Sequence, residues 1–214
     1  MATYSKGILG GFIGKVGNVV GSRIFGIDVM RSYQPNVRNP KTEGQLTQRG
    51  KFRLIVSFIS LMLPLFKEGF KHAANKMSAF NKAVSVNIAD AITGTLPNFL
   101  IDYPNVKFSQ GSLDGFYEQD AMFDTTPLTV SFAWTNNPGP NADANDKFVG
   151  IVYNPTKDKY ESSNTILRQD EVCDITVPAD WAGEVVQAWG YYIGADGSAV
   201  SDSLYFGTGT IAST

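Results

Sequence analysis

The sequence predicts an α+β protein built from a glycine-rich β-hairpin or arm, a short helical middle and a C-terminal β-sandwich. Three observations predict it. Seven glycines stand among branched apolar residues in "GILGGFIGKVGNVVGSRIFGIDVMRSY", residues 7–33. Between Leu46 and Ile92, apolar residues recur at spacings of three and four, the period of a helix with one buried face. From Leu96 onward, short alternating runs are separated by Gly, Pro, Asn and Asp, as strands are by turns. The expected parts are an arm and linker over residues 1–41, helices over 42–95, an extended connector over 96–127 and the sandwich over 128–214.

The opening glycines admit three readings: a phosphate-cradling loop, a membrane-active segment, or backbone built for close approach to another backbone. A Walker loop needs a glycine five residues before the Gly of Gly-Lys and a Ser or Thr after the Lys, but here those positions hold Leu9 and Val16 around Gly14 and Lys15. The Gly-x-Gly-x-x-Gly fingerprint is also missing from this stretch. As a helix in water, the segment would lose about 0.8–1 kcal/mol at each interior glycine. A strand reading explains more: Gly17-Asn18 suits a tight turn, and Ile, Val and Phe flank it. Beyond the turn, Val19, Phe25, Ile27 and Val29 share one parity. Gly10, Gly11, Gly14, Gly17, Gly21 and Gly26 are therefore assigned to an assembly arm, where a missing Cβ lets two main chains lie close together.

"QPNVRNPKT", residues 34–42, is a linker held extended by two prolines. Thr42 is placed to cap a helix beginning at Glu43. Leu46, Phe52, Ile55, Val56, Ile59, Met62 and Leu63 form its expected apolar face, which Pro64 kinks or ends. Ser78 opens a further helix with Phe80, Val84, Ile88 and Ile92 on one face, closed by Gly94. The runs "LTVSFAW", "KFVGIVYN", "TILRQ", "VCDITVP", "EVVQAWGYYIG" and "VSDSLYFGT" then read as strands, the last two joined by a turn at Ala195–Gly197. Short strands at this spacing, with an early buried tryptophan, predict a sandwich of the immunoglobulin or fibronectin type III kind.

Net charge is −2 over 214 residues, but the charges are divided. Residues 1–107 carry 14 Lys and Arg against 5 Asp and Glu, and residues 108–214 carry 4 against 15. A basic half of this kind meets polyanions or acidic surfaces, and copies can associate basic half to acidic half. Lys6, Lys15, Arg23, Arg31, Arg38 and Lys41 are the residues placed to contact nucleic acid or an acidic partner. The alternative is that they only solvate the arm. Glycines and Lys15 break up the region where a secretory signal would need an apolar run. The longest apolar stretch, residues 54–66, is too short to span a bilayer.

Catalytic chemistry finds little support. A single cysteine, Cys173, and a single histidine, His72, exclude an intrachain disulfide and cysteine-based zinc sites. Cys173 shares strand parity with Ile175 and Val177 and reads as a small core residue. His72, the one imidazole base, sits in the basic run "FKEGFKHAANK" and reads as solvated. Asp170, Glu171 and Asp174 read as surface charge. Asn141, Asp143 and Asn145 begin like a calcium loop, but the glycine at its sixth position and the glutamate at its twelfth are missing. No enzyme activity, metal, cofactor or small-molecule substrate is expected.

The order of segments, "MATYSKGILGGFIGKVGNVVGSR", "GIDVMRSYQPNVRNPKTEGQLTQRGKF", "FNKAVSVNIADAITG", "IDYPNVKFSQGSL" and "SDSLYFG", resembles a family of about 200 residues from Bacteroidota and their tailed phages. That family is described only as a domain of unknown function. The resemblance spans nearly the whole chain and carries no catalytic residues across. It implies a virion component, such as a head-tail connector, ring or tail protein, made in the host cytoplasm. The expected partners are copies of the chain, with a cyclic ring favoured, other virion proteins and packaged DNA. The alternative is an accessory protein in the bacterial cytoplasm that binds nucleic acid nonspecifically through the basic half.

Overall fold

The computed structural model describes residues 2–4, 10–36, 39–123, 128–136 and 139–212. These residues form three α-helices and four antiparallel sheets. The chain divides into two compact units, residues 1–45 and 46–214.

Two tight turns set the first unit. Gly17, at φ +55°, and Asn18 join β2 (Phe12–Val16) to β3 (Val19–Ile24). Phe25 and Gly26, at φ +48° and +80°, then join β3 to β4 (Ile27–Ser32). β1 (Thr3–Tyr4) pairs with Phe12 and Ile13, which completes the order β1-β2-β3-β4. The second turn corrects the expected single alternation. Ser32 lies opposite Val19 and Ser22 opposite Val29, so the two valines occupy opposite faces. A phenylalanine at positive φ is uncommon, and only Gly26 hints at the reversal.

α1 (Glu43–Leu61) starts directly after Thr42, continues into the second unit and buries Ile55, Phe58 and Ile59 there. Leu46 and Phe52, expected on its buried face, are exposed. The apolar stripe of α1 meets core only from its fourth turn onward, beginning with Ile55. α2 (Leu63–Gly69) follows, with Pro64 in its first turn, where the missing N–H would have no helical acceptor anyway. α3 (Ala79–Asp90) is capped by the Ser78 hydroxyl, which accepts from the Asn81 N–H at 3.1 Å. This helix ends before Gly94, contrary to expectation. Gly94 belongs to the hairpin of β5 (Ile92–Thr95) and β6 (Asn98–Ile101). There its φ is +88°, and a Cβ would fall 2.3 Å from the Asn98 carbonyl oxygen. Residues 98–101 are thus strand rather than open connector.

The remaining strands are β7 (Asp120–Met122), β8 (Thr129–Ala133), β9 (Lys147–Asn154), β10 (Lys159–Ser163), β11 (Val172–Thr176), β12 (Val185–Ile193) and β13 (Leu204–Thr210). They form one sheet of order β10-β9-β12-β13 and another of order β11-β8-β7. "TILRQ" is not a strand: Leu167 makes one bridge to Lys147, and Arg168–Asp170 form a 3-10 turn.

β9 and β12 are buried on both faces, which is why each reads as a continuous apolar run. One face presents Phe148, Val152, Val186, Ala188 and Tyr192 to a core shared with Val130, Phe132, Cys173 and Ile175. The other presents Val149, Ile151, Tyr153, Trp189 and Tyr191 to a core shared with Ile55, Phe58, Ile59, Met62 and Phe66.

Candidate functional site

The register of the N-terminal sheet defines its two faces. Lys15, Val20 and Arg31 stand directly opposite one another across β2, β3 and β4. Alternation of side chains places Ile13, Ser22, Ile24, Ile27, Val29 and Tyr33 on the same face. Ile13 is 55% exposed, Ile24 53% and Ile27 48%. The opposite face leaves Val16, Val19 and Met30 open to solvent and carries an exposed Arg23–Asp28 ion pair at 3.6 Å. Large apolar side chains are thus uncovered on both faces of this sheet.

The glycines assigned to the arm are accounted for within this sheet. Gly17 and Gly26 supply the turns. Gly21 is buried, and a Cβ there would lie 2.2 Å from the Phe12 carbonyl oxygen. Gly14, paired with Gly21, has φ +113°, and a Cβ on Gly11 would meet the Asp28 carboxylate at 2.6 Å. Gly10 lies in a bend before β2. Gly21 thus allows close backbone approach between β2 and β3 within one chain, whereas the approach expected from the sequence is to the backbone of a neighbouring copy.

Among the predicted basic residues, the sheet brings Lys15 and Arg31 together on one face and puts Arg23 on the other, beside Asp28. The Lys15 ammonium sits 3.4 Å from the centre of the Tyr33 ring, a cation–π contact. Lys41 is exposed. Lys6 and Arg38 lie outside the described residues.

The second unit contains a buried polar centre that sequence reasoning missed. Arg168 and Asp146 are 2% and 1% exposed and pair at 3.2 Å. The guanidinium also donates to the carbonyls of Gly115 (3.1 Å) and Asp114 (2.7 Å) and stacks 3.7 Å from the Tyr192 ring. The Asp146 carboxylate accepts from the backbone N–H of Asp143 and Ala195. Asp143 in turn accepts from Asn145 N–H at 2.8 Å, so the calcium-like loop uses its carboxylates on its own chain. Among the described residues, no group of three or more His, Cys, Asp or Glu side chains is placed to hold a metal.

His72 is exposed, and its Nε2 donates to the Gly197 carbonyl at 3.1 Å. Cys173 is buried beside Ile175 and Val177, and burial pushes its thiol from 9.0 up to about 11, away from nucleophilic use. A cleft of about 790 Å3 is lined by Leu65, Glu68, Lys147, Asn164, Thr165 and Tyr191, among others. The Tyr191 hydroxyl is occupied by the Leu65 carbonyl at 3.3 Å. No helix of the described residues is long and apolar enough to cross a membrane.

No curated protein matches the chain. Among solved structures, it is similar to a redesigned β-sandwich protein at 11% identity, over 48% of this chain and 94% of that one, with a TM-score of 0.35. A score that low carries no argument about architecture. Residues 11–207 match the DUF6266 family, a family of unknown function, and the chain belongs to that family.

Proposed function

We propose that this chain is a non-enzymatic structural protein that assembles with copies of itself through its N-terminal sheet and helical segment. The observation that carries the reading is the N-terminal sheet whose apolar side chains are open on both faces. Covering Ile13, Ile24, Ile27 and Val29 on the face shared with Lys15 and Arg31 returns on the order of 1 kcal/mol each. Association costs roughly 4–15 kcal/mol, so a stable contact also draws on the charged residues and on the exposed first turns of α1.

A virion role as head-tail connector, ring or tail protein fits the resemblance drawn from the sequence. It also fits the division of charge, since a head-to-tail contact closes into a ring when its rotation permits. The two C-terminal sheets are read as an immunoglobulin or fibronectin type III-like sandwich, supported by their shared core and by Trp134, which is buried next to Phe148. In this reading the N-terminal sheet is the arm that a neighbour receives. A second reading, nonspecific nucleic-acid binding, is supported by Lys15 and Arg31 sharing a face with Tyr33.

Light scattering on the full chain and on residues 42–214 tests the proposal. The full chain is expected to exceed the monomer mass of 23.3 kDa, and the shortened chain to be monomeric with its fold retained. A monodisperse monomer in both cases overturns the assembly reading. Nucleic-acid affinity that falls steeply with salt in a monomeric full chain would support the second reading instead.

A further inference from the structure

We infer that the basic face of the N-terminal sheet docks on the outer face of the β11-β8-β7 sheet of a second copy. The inference rests on the assembly reading and names the surface that receives the sheet. Alternation along β7, β8 and β11 turns Phe132, Val130, Cys173 and Ile175 into the core, leaving Asp120, Met122, Val172 and Asp174 outward. Met122 is 41% and Val172 50% exposed, so this face carries two uncovered apolar side chains beside its two carboxylates, with Thr129, Ser131 and Thr176 between and around them.

The charges match in sign and in spacing. Lys15 and Arg31 flank β3 in a single row, which puts them two interstrand spacings, about 10 Å, apart. Asp120 and Asp174 flank β8 in the same way but one row apart, since Asp120 lies opposite Ala133 and Asp174 opposite Ser131. Their separation is therefore about 12 Å. Long Lys and Arg side chains span the difference while their stems and the neighbouring Ile and Val residues cover Met122 and Val172. Two sheet faces of this kind pack as layers of a sandwich. Because the two faces differ, the contact joins unlike surfaces of two copies.

Charge reversal in the full chain, followed by sedimentation velocity, tests the pairing. Lys15→Glu/Arg31→Glu and Asp120→Lys/Asp174→Lys are each expected to sediment as monomers. An equimolar mixture of the two is expected to recover the assembled species, because each reversed face then meets a complementary one. All four positions are exposed, and circular dichroism checks that each variant keeps its fold. If the wild-type chain assembles and Asp120→Lys/Asp174→Lys assembles equally well, this pairing is overturned while the assembly reading stands. If only Lys15→Glu/Arg31→Glu loses assembly and mixing fails to restore it, the pairing is likewise overturned, and the basic face serves another acidic ligand. A wild-type chain that is monomeric at every concentration and salt overturns both.

Discussion

Arg168 shows how one side chain can organise loops that have no regular structure of their own. Its guanidinium reaches a carboxylate 22 residues away and carbonyls 53 and 54 residues away. Its own carbonyl accepts the Trp134 indole N–H at 2.7 Å. Replacing it with methionine keeps much of the volume but leaves the Asp146 charge buried without its counter-ion, a loss of the kind that costs about 3–5 kcal/mol. The two backbone N–H groups on Asp146 remain, so Arg168→Met is expected near the lower end, about 3 kcal/mol, read from the urea midpoint of the full chain. A change below about 1 kcal/mol would mean that the pair is a spectator. Arg168 is not legible in the sequence because a lone arginine in "TILRQ" carries no local pattern, and every partner that gives it a role is distant in the chain.

At the scale of elements, the N-terminal sheet depends on glycine at a place where strands rarely carry it. Gly21→Val would drive a Cβ into the Phe12 carbonyl oxygen, 2.2 Å away, and force β2 and β3 apart. Gly17→Ala meets no atom within 4 Å and bears only the strain of a positive φ, about 1 kcal/mol. Gly21→Val is therefore expected to expose residues 12–33 to limited proteolysis while Gly17→Ala leaves them protected. All three tryptophans, Trp134, Trp181 and Trp189, lie in the second unit, so their fluorescence should stay native in both variants. Equal cleavage of the two would contradict the steric account.

Elements with local signals were the readable ones. Gly17-Asn18, Thr42 before Glu43, Ser78 before α3 and the alternation of "LTVSFAW" each encode their structure within a few residues. The Phe25-Gly26 turn, the β5–β6 hairpin and the exposure of Leu46 and Phe52 depend on conformations or packing that neighbouring residues do not specify. Of the candidate surface, the glycines and basic residues could be singled out from sequence. Which residues shared a face could not, because that depends on the second turn.

Over the whole molecule, burial of titrating groups sets how stability responds to alkali. Cys173 is raised by burial from 9.0 to about 11, partly offset by a hydrogen bond with Ser163. Tyr191 and Tyr192 are also raised by burial, and Tyr153 by burial and by its hydrogen bond to Asp158. In each case the folded chain holds its proton more tightly than the unfolded chain, so the unfolded state ionises first as pH rises. The stability these neutral groups contribute is complete below pH 9 and falls as pH climbs, first from Cys173 between 9 and about 11, and from above pH 10 from the tyrosines as well. The urea midpoint is therefore expected to be flat from pH 7 to 8.5 as far as these groups act and to drop beyond 9. Cys173→Val fills nearly the same space without an ionisable proton, so it should delay the onset of the drop by about one pH unit, to the range where tyrosine ionises. If wild type and Cys173→Val decline together from pH 9, the thiol is not the first group to couple ionisation to unfolding, and its place in the core beside Ile175 and Val177 would have to be more open to water than its burial indicates.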